Sequence, residues 1–281
     1  MCLAFLAAAD AARADTVTLN PAQDTFISEQ FSGPNGVGFD MVIGTQGMTV
    51  FFKKNRGLIQ FDLSSIPVGA VVNSVALRLM ATAAPRATNN NSNFNLHRVL
   101  RPWNALESTW VLRLEPDENW EFPGGQAGTD FAETASSSAF ISSEGSYTFA
   151  SMPGLVADVS AWLANPPANH GWLVKTEDES VGFTARRFAS REAPGAPVLE
   201  VQFDLPPPAL RIDSAAIVAG DFCARFSTKA GKTYTLERRE RVDTGDWTVV
   251  ATRPPVDADG EATLCDPVAA EGNRFYRVGE R

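Results

Sequence analysis

The clearest alternation of apolar and polar positions runs over residues 56–80. Ile59, Phe61 and Leu63 share one parity, while Gln60 and Asp62 take the other. Further on, Val75, Leu77 and Leu79 alternate with Ser74, Ala76 and Arg78. Successive strand side chains point to opposite faces, so each run predicts a strand with one buried face. Residues 64–69 between them carry turn chemistry: Pro67 fixes φ, and Gly69 is free to take positive φ. The stretch predicts an antiparallel pair with a single core face, the unit of a β-sandwich. Similar patterns predict strands at 16–20, 25–28, 41–44, 94–98, 171–176, 181–189 and 197–204. Residues 155–163 form the one predicted helix, with Trp162 on its apolar face beside Leu155 and Val159, ended by Pro166 and Pro167. Residues 102–135 read as one long irregular stretch carrying Trp103, Trp110 and Trp120 and an acidic run at 115–121. Connections of that length inside a domain are usually functional or mobile.

Pro206, Pro207 and Pro208 break the pattern as a stiff linker. The alternation then restarts at Phe222-Ala224-Phe226, Tyr234-Leu236, Trp247-Val249, Ala262-Leu264 and Phe275-Arg277. About six short strands in so few residues predict a small immunoglobulin-like or fibronectin-III-like sandwich. The expected organisation is 15–204 for the larger sandwich, 205–210 for the linker and 211–281 for the smaller. The fold class is all-β.

The residues of the organising stretch also carry a resemblance. The run RGLIQFDLSSIPVGAVVNSVALRLM resembles the DNRLRE domain, grouped with carbohydrate-binding module family 96. Later segments fit the same family in order: Trp103, Ser108-Thr109-Trp110, Trp120 with Gly124-Gly125, Trp162 ahead of Asn169-His170-Gly171, then Phe188 to Glu192 followed by Pro197, Leu199 and Val201. The resemblance covers about residues 16–204. It implies a secreted, jelly-roll-like β-sandwich that binds polysaccharide, alginate included, in some members. The segment from Gly231 with the closing Arg274-Phe275-Tyr276-Arg277-Val278 resembles, more weakly, C-terminal accessory domains common in secreted bacterial proteins.

Charge narrows the partners. The chain carries a formal net charge of −9, which argues against nucleic acid. Residues 15–205 hold 12 Lys and Arg against 20 Asp and Glu, a net of −8, so polyanion binding there needs a local basic patch. Residues 1–14 read as the tail of a secretory signal, with an apolar run at 3–9 and Ala12-Arg13-Ala14 as the cleavage site. A charged leading region is missing, so the true start is expected upstream; a merely apolar tail is the alternative. Nothing else approaches the ~20 consecutive apolar residues of a membrane span. The mature protein is expected to be exported and extracellular.

With Cys2 removed, Cys223 and Cys265 remain, each at odd parity to the apolar face of its strand. In an exported protein such a pair favours a disulfide. The alternative is two unpaired thiols on non-adjacent strands.

No G-x-S-x-G, HExxH or phosphate-loop motif is present, and His97, His170 and Tyr147 lack an evident catalytic partner. The chain reads as a non-catalytic binder. Sugar recognition uses aromatic faces against pyranose rings, and uronate carboxylates pair with planar Arg forks. The candidates are Lys53, Lys54, Arg56, Arg98, Arg101, Trp103, Trp110, Arg187 and Arg191, with Trp120 and Arg186 beside them. Large aromatics also cap sandwich cores, and basic residues also cover solvated faces. If the strands carrying 53–56 and 186–191 are neighbours, the two clusters merge into one patch. No cofactor is required; a structural Ca²⁺ held by Asp24, Asn35 and Asp40 around a Gly-rich loop is one option, ordinary Asx turns the other. The leading expectation is an exported module binding an acidic polysaccharide. Its rivals are a structural or adhesive surface protein that binds other cell-surface proteins, and a polysaccharide lyase. Convergence of Lys54, Arg56 and Arg191 on one groove separates the first two.

Overall fold

A computed structural model describes residues 14–48, 51–83, 90–205, 210–241, 244–267 and 274–281. Residues 1–13 of the expected signal remnant and 206–209 of the expected linker lie outside the described residues, while Ala14 already pairs with Asp204 in a strand. Among the described residues, strand makes up 50% and helix 6%, so the fold is all-β. Arg13–Pro206 forms one compact unit and Pro207–Arg281 belongs to another.

The larger unit contains β1 (Ala14–Leu19), β2 (Pro21–Ser28), β3 (Asp40–Thr45), β4 (Lys54–Phe61), β5 (Val71–Ala83), β6 (Ser92–Arg98), β7 (Leu112–Leu114), β8 (Glu118–Asn119), β9 (Ser137–Ile141), β10 (Gly145–Phe149), α1 (Pro153–Ala164), β11 (Trp172–Thr176), β12 (Arg186–Ala189) and β13 (Val198–Asp204). One face of the sandwich runs β1-β13-β5-β12-β3, with β10 on the far side of β5. The other runs β4-β11-β6-β9, with β2 on the free edge of β4. β3 joins them. Its first residues pair with β12, whereas Gly44 and Thr45 pair with Asn55 and Lys54 of β4. Gly44 permits the crossing: its φ is +111°, and a Cβ would stand 2.9 Å from the backbone of Thr184 and Ala185.

The predicted hairpin over 56–80 does not form. β4 and β5 lie in opposite sheets, and residues 62–70 carry the chain across the sandwich with Leu63 and Ile66 buried in the core. Both strands face one interior, so their alternation fits facing each other across a core as well as pairing across a turn. The predicted strand at 181–189 shrinks to Arg186–Ala189, because Phe183 takes φ +62° and breaks the extended backbone.

The main core lies between the sheets: Ile59, Phe61, Phe94, Leu96, Trp172 and Val174 on one side, Val75, Leu77, Leu79, Phe188, Leu199 and Val201 on the other. α1 starts with Pro153 in its first turn, as a missing N–H allows, and adds Leu155, Val159 and Trp162 to this core. Its buried Asp158 accepts from Trp172 Nε1 at 2.8 Å and from Ser136 Oγ at 2.5 Å. A second core sits on the outer face of the β4 sheet. There the long segment after β6 lays Val99, Trp103, Trp120 and Phe131 over Ile27, Leu58 and Leu173.

The smaller unit has β14 (Ile212–Val218), β15 (Asp221–Thr228), β16 (Tyr234–Arg239), β17 (Thr248–Arg253), β18 (Gly260–Pro267) and β19 (Phe275–Glu280). Strands β14-β15-β18 form one sheet and β17-β16-β19 the other. First, second and fifth against third, fourth and sixth is the Greek-key partition of an immunoglobulin-like sandwich. Phe226, Tyr234 and Ala262 fill the space between. Cys223 and Cys265 are directly opposite on β15 and β18, with Cα atoms 4.1 Å apart, and form a disulfide.

Candidate ligand-binding face

β4 points Ile59 and Phe61 into the main core, so Lys54, Arg56, Leu58 and Gln60 point outward. Leu173 of β11 pairs with Leu58 and Val174 with Gly57, which sets Lys175 beside Arg56 on that outer face. β6 continues the row, with Asn95 opposite Lys175. Half of the face is roofed by the second core. The polar half, Lys54, Arg56, Lys175 and Asn95, begins where that roof ends at Trp110 and Phe131.

Arg56 is held on every side. Its Nε and Nη2 donate to Glu179 Oε1 and Oε2 at 2.8 and 2.6 Å, and Nη1 donates to the carbonyls of Gly124 and Gly125 at 2.7 and 2.9 Å. Its guanidinium carbon lies 5.4 Å from the Trp110 ring centroid and 5.6 Å from that of Phe131. Lys175 Nζ donates to the Thr176 carbonyl at 2.9 Å and stands 3.8 Å from Glu179. Burial lowers the Lys175 pKa, Glu179 opposes this, and Arg56 and Lys54 push it down further. Among the described residues, Lys53 and Lys54 have no ion-pair partner. Next to them, at the tip between β3 and β4, Phe51 is 84% exposed, while Phe52 packs edge-on against Phe183.

His97 lies one row in, under the roof. Its Nδ1–H donates to the Ala132 carbonyl at 2.9 Å, and its ring meets Phe131 at 5.3 Å. Burial is the main reason its pKa falls, so the imidazole is neutral, and Nε2 is sealed from solvent without a partner.

The other sequence candidates do not join this face. Trp103 is a correction: it is 5% exposed in the second core, its Nε1 donating to the His170 carbonyl, so no ring face is free to stack on sugar. Trp120 is buried likewise, and Trp110 stays half-buried at the rim. Arg98 turns to Asp158 at 3.6 Å, and Arg101 to Glu121 and Asp130 at 3.3 and 3.6 Å. Arg187 pairs with Asp40 at 3.2 Å, and Arg191 with Glu192 at 2.9 Å. Arg186 is fully buried among carbonyls, those of Thr184 and Ala185 at 3.0 and 3.1 Å. The merged patch of 53–56 with 186–191 therefore does not arise, because β3 separates β12 from β4.

The predicted Ca²⁺ donors are also apart in role. Asp40 accepts from Thr82 Oγ1 at 3.0 Å and pairs with Arg187, while Asn35 Nδ2 donates to the Phe26 carbonyl at 3.1 Å. Among the described residues, no three His, Cys, Asp or Glu side chains group as a metal set. No described helix is long and apolar enough to cross a membrane.

Sequence reasoning missed Lys175, Glu179 and Phe51. Lys175 alternates with Val174 on a strand the sequence did predict, so its outward face was readable; which strand lay beside it was not. The fold and this face define a chain of two antiparallel β-sandwiches, the larger with a half-roofed polar face. No family model and no curated protein matches the chain.

Proposed function

We propose that the larger unit is a non-catalytic binding module for an acidic polysaccharide, a uronate polymer of the alginate type, in an exported protein. One observation carries the reading. Lys54, Arg56 and Lys175 stand together on one sheet face, with Glu179 as the carboxylate that pairs Arg56 and Lys175, in a unit whose net charge is −8. Like charges repel, and folding alone does not require three cations to meet. The exposed Phe51 and the rim of Trp110 supply aromatic surface next to them. The resemblance to the DNRLRE domain agrees with this reading, and the Cys223–Cys265 disulfide suits an oxidising compartment.

Arg56 is the anchor of the face, and Lys53, Lys54 and Lys175 are its ligand-facing charges. The separation of Arg191 from them favours the structural or adhesive rival instead, so the test must separate the two. Affinity electrophoresis in alginate, pectin and neutral glucan gels is expected to retard the protein in the polyuronates only. Added salt should relieve the retardation, since exposed charges are screened within about 8 to 10 Å at physiological ionic strength. A Lys54→Ala, Lys175→Ala double variant should migrate freely with its fold intact. Retardation by the neutral glucan alone overturns the acidic specificity. No retardation in any gel leaves the structural reading.

A further inference from the structure

The smaller unit leaves one strand uncovered. β14 is the outer strand of its sheet and, among the described residues, pairs only with β15. Ala219 and Gly220, both at positive φ, close this pair as a tight hairpin. Every residue from 213 to 218 is exposed, on both faces of the strand. Ala215 and Ile217 lie opposite Ala224 and Phe222 and so point to the core side, yet the facing sheet does not cover them, and Ile217 is 65% exposed. From Ser214 to Val218 the strand carries neither charge nor Pro. A free edge presents a row of unpaired N–H and C=O groups, which proteins ordinarily blunt with charge, Pro or bulges. The other edges of this unit are blunted in that way: β17 carries Arg253, β18 carries Glu261 and Asp266, and β19 carries Arg277 and Glu280. In β14 the one irregularity of pairing falls at Ile212–Ser214, before the uncharged run begins.

The charges at the two ends of the strand choose the occupant. Arg211 precedes the uncharged run and Asp221 follows its turn, and neither has an ion-pair partner among the described residues. We propose that β14 adds edge to edge, antiparallel, to β14 of a second copy of this chain, joining two three-stranded sheets across a two-fold axis. Pairing centred on Ala216 sets Ile217 opposite Ala215 of the second copy and Val218 opposite its Ser214, so the uncharged run meets itself. The same register brings Arg211 of each copy to the end that carries Asp221 of the other. On the uncovered core-side face, Ala215 and Ile217 of both copies then form one apolar patch. The smaller unit is nearly neutral, with 11 Lys and Arg against 12 Asp and Glu over residues 206–281, so a second copy is not repelled. The same strand edge serves both copies, so the contact closes on itself and stops at the dimer. One strand pair is a small interface, which makes the association a weak one.

The test is independent of sugar binding. Sedimentation equilibrium of the full chain from micromolar to millimolar concentration is expected to show a monomer–dimer equilibrium with no larger species. An Ala215→Lys, Ile217→Lys double variant sets like charges opposite each other at exposed positions, and should weaken dimerisation about tenfold or more. Arg211→Asp should weaken it as well, and adding Asp221→Arg should restore it, the signature of a direct pair between copies. A wild-type chain that stays monomeric throughout overturns the proposal. So does a dimer that survives both Lys substitutions, or one that the charge exchange fails to restore. If the Lys variant does not fold, seen as a lowered Tm, the charge exchange decides alone.

Discussion

Arg56 ties together three segments far apart in sequence, and the tie governs how it can be tested. Its partners come from the loop after β11, the turn at Gly124-Gly125 and the rim ring of Trp110. Removing it leaves Glu179, itself 12% exposed, with Lys175 alone at 3.8 Å. Arg56→Ala should therefore cost about 1.5–3 kcal/mol of stability, the range for hydrogen bonds to charged groups, read as a lower urea midpoint at constant slope. The alternation in the sequence puts Lys54 and Arg56 on one face correctly, but it treats Arg56 as free. Its carboxylate partner lies 123 residues away, and nothing local announces such a pair. Tyr147 offers a pH readout at the same scale. Its hydroxyl accepts from Ser143 N at 3.0 Å and lies among the 142–143 side chains, which favour the phenolate and lower its pKa to about 8. The folded pKa is below the usual 10, so this group's contribution is present above pH 10 and lost as pH falls through about 8. An ultraviolet absorbance titration should show one tyrosine ionising early, and Tyr147→Phe should remove that step. An unchanged titration in the variant would assign the early step elsewhere.

At the scale of elements, periodicity located strands well and their neighbours poorly. β4 and β5 were legible as strands because each has one clean core face, yet their pairing depends on the course of residues 62–70. The second core was legible in principle. Leu58-Ile59 and Trp172-Leu173-Val174 break the alternation with apolar residues on both faces, the sign of a strand covered on two sides. The cover itself, residues 99–135, has no period to read, because its order comes from caps and turns. Asp130 Oδ2, for instance, accepts from Glu121 N and Gln126 N at 2.9 and 2.7 Å. β9 and β10 are short, serine-rich and half-exposed, so they carried little signal. Gly171 shows how tightly β11 is set between β4 and β6. It takes φ +68°, and a Cβ there would lie 2.1 Å from the Ile59 carbonyl oxygen. That obstacle is backbone and cannot swing aside. Gly171→Ala should destabilise the larger unit by about 3 kcal/mol or more, from strain plus displaced strand pairing. Chemical denaturation followed by tryptophan fluorescence would measure it, since Trp172 is fully buried next door. A loss below about 1 kcal/mol would show that β11 shifts freely.

For the whole molecule, the two units differ in what stabilises them. The larger has a main core of large apolar side chains, including Phe61, Phe94, Trp172 and Phe188, all almost without solvent exposure. Among the described residues, the smaller has a core cluster of Phe226, Tyr234 and Ala262, with Leu210, Leu264 and Val278 partly buried against it and Ala224 and Leu236 buried as well. Small cores need a staple, and the disulfide between β15 and β18 supplies one. It closes a loop with a sequence separation of 42, which on the chain-entropy estimate stabilises by about 4 kcal/mol. Stability on that scale is a large part of what a domain of this size possesses. A Cys223→Ala, Cys265→Ala double variant should therefore lower the unfolding transition of 210–281 markedly. The larger unit contains neither cysteine, so its transition should stay in place. Calorimetry of the full chain, with Trp fluorescence reporting mainly the larger unit, separates the two: five of the six tryptophans lie within 15–204 and only Trp247 beyond. An equal fall in both transitions would mean that the two units unfold as one cooperative body. No fall in either would mean that the small core holds without its staple.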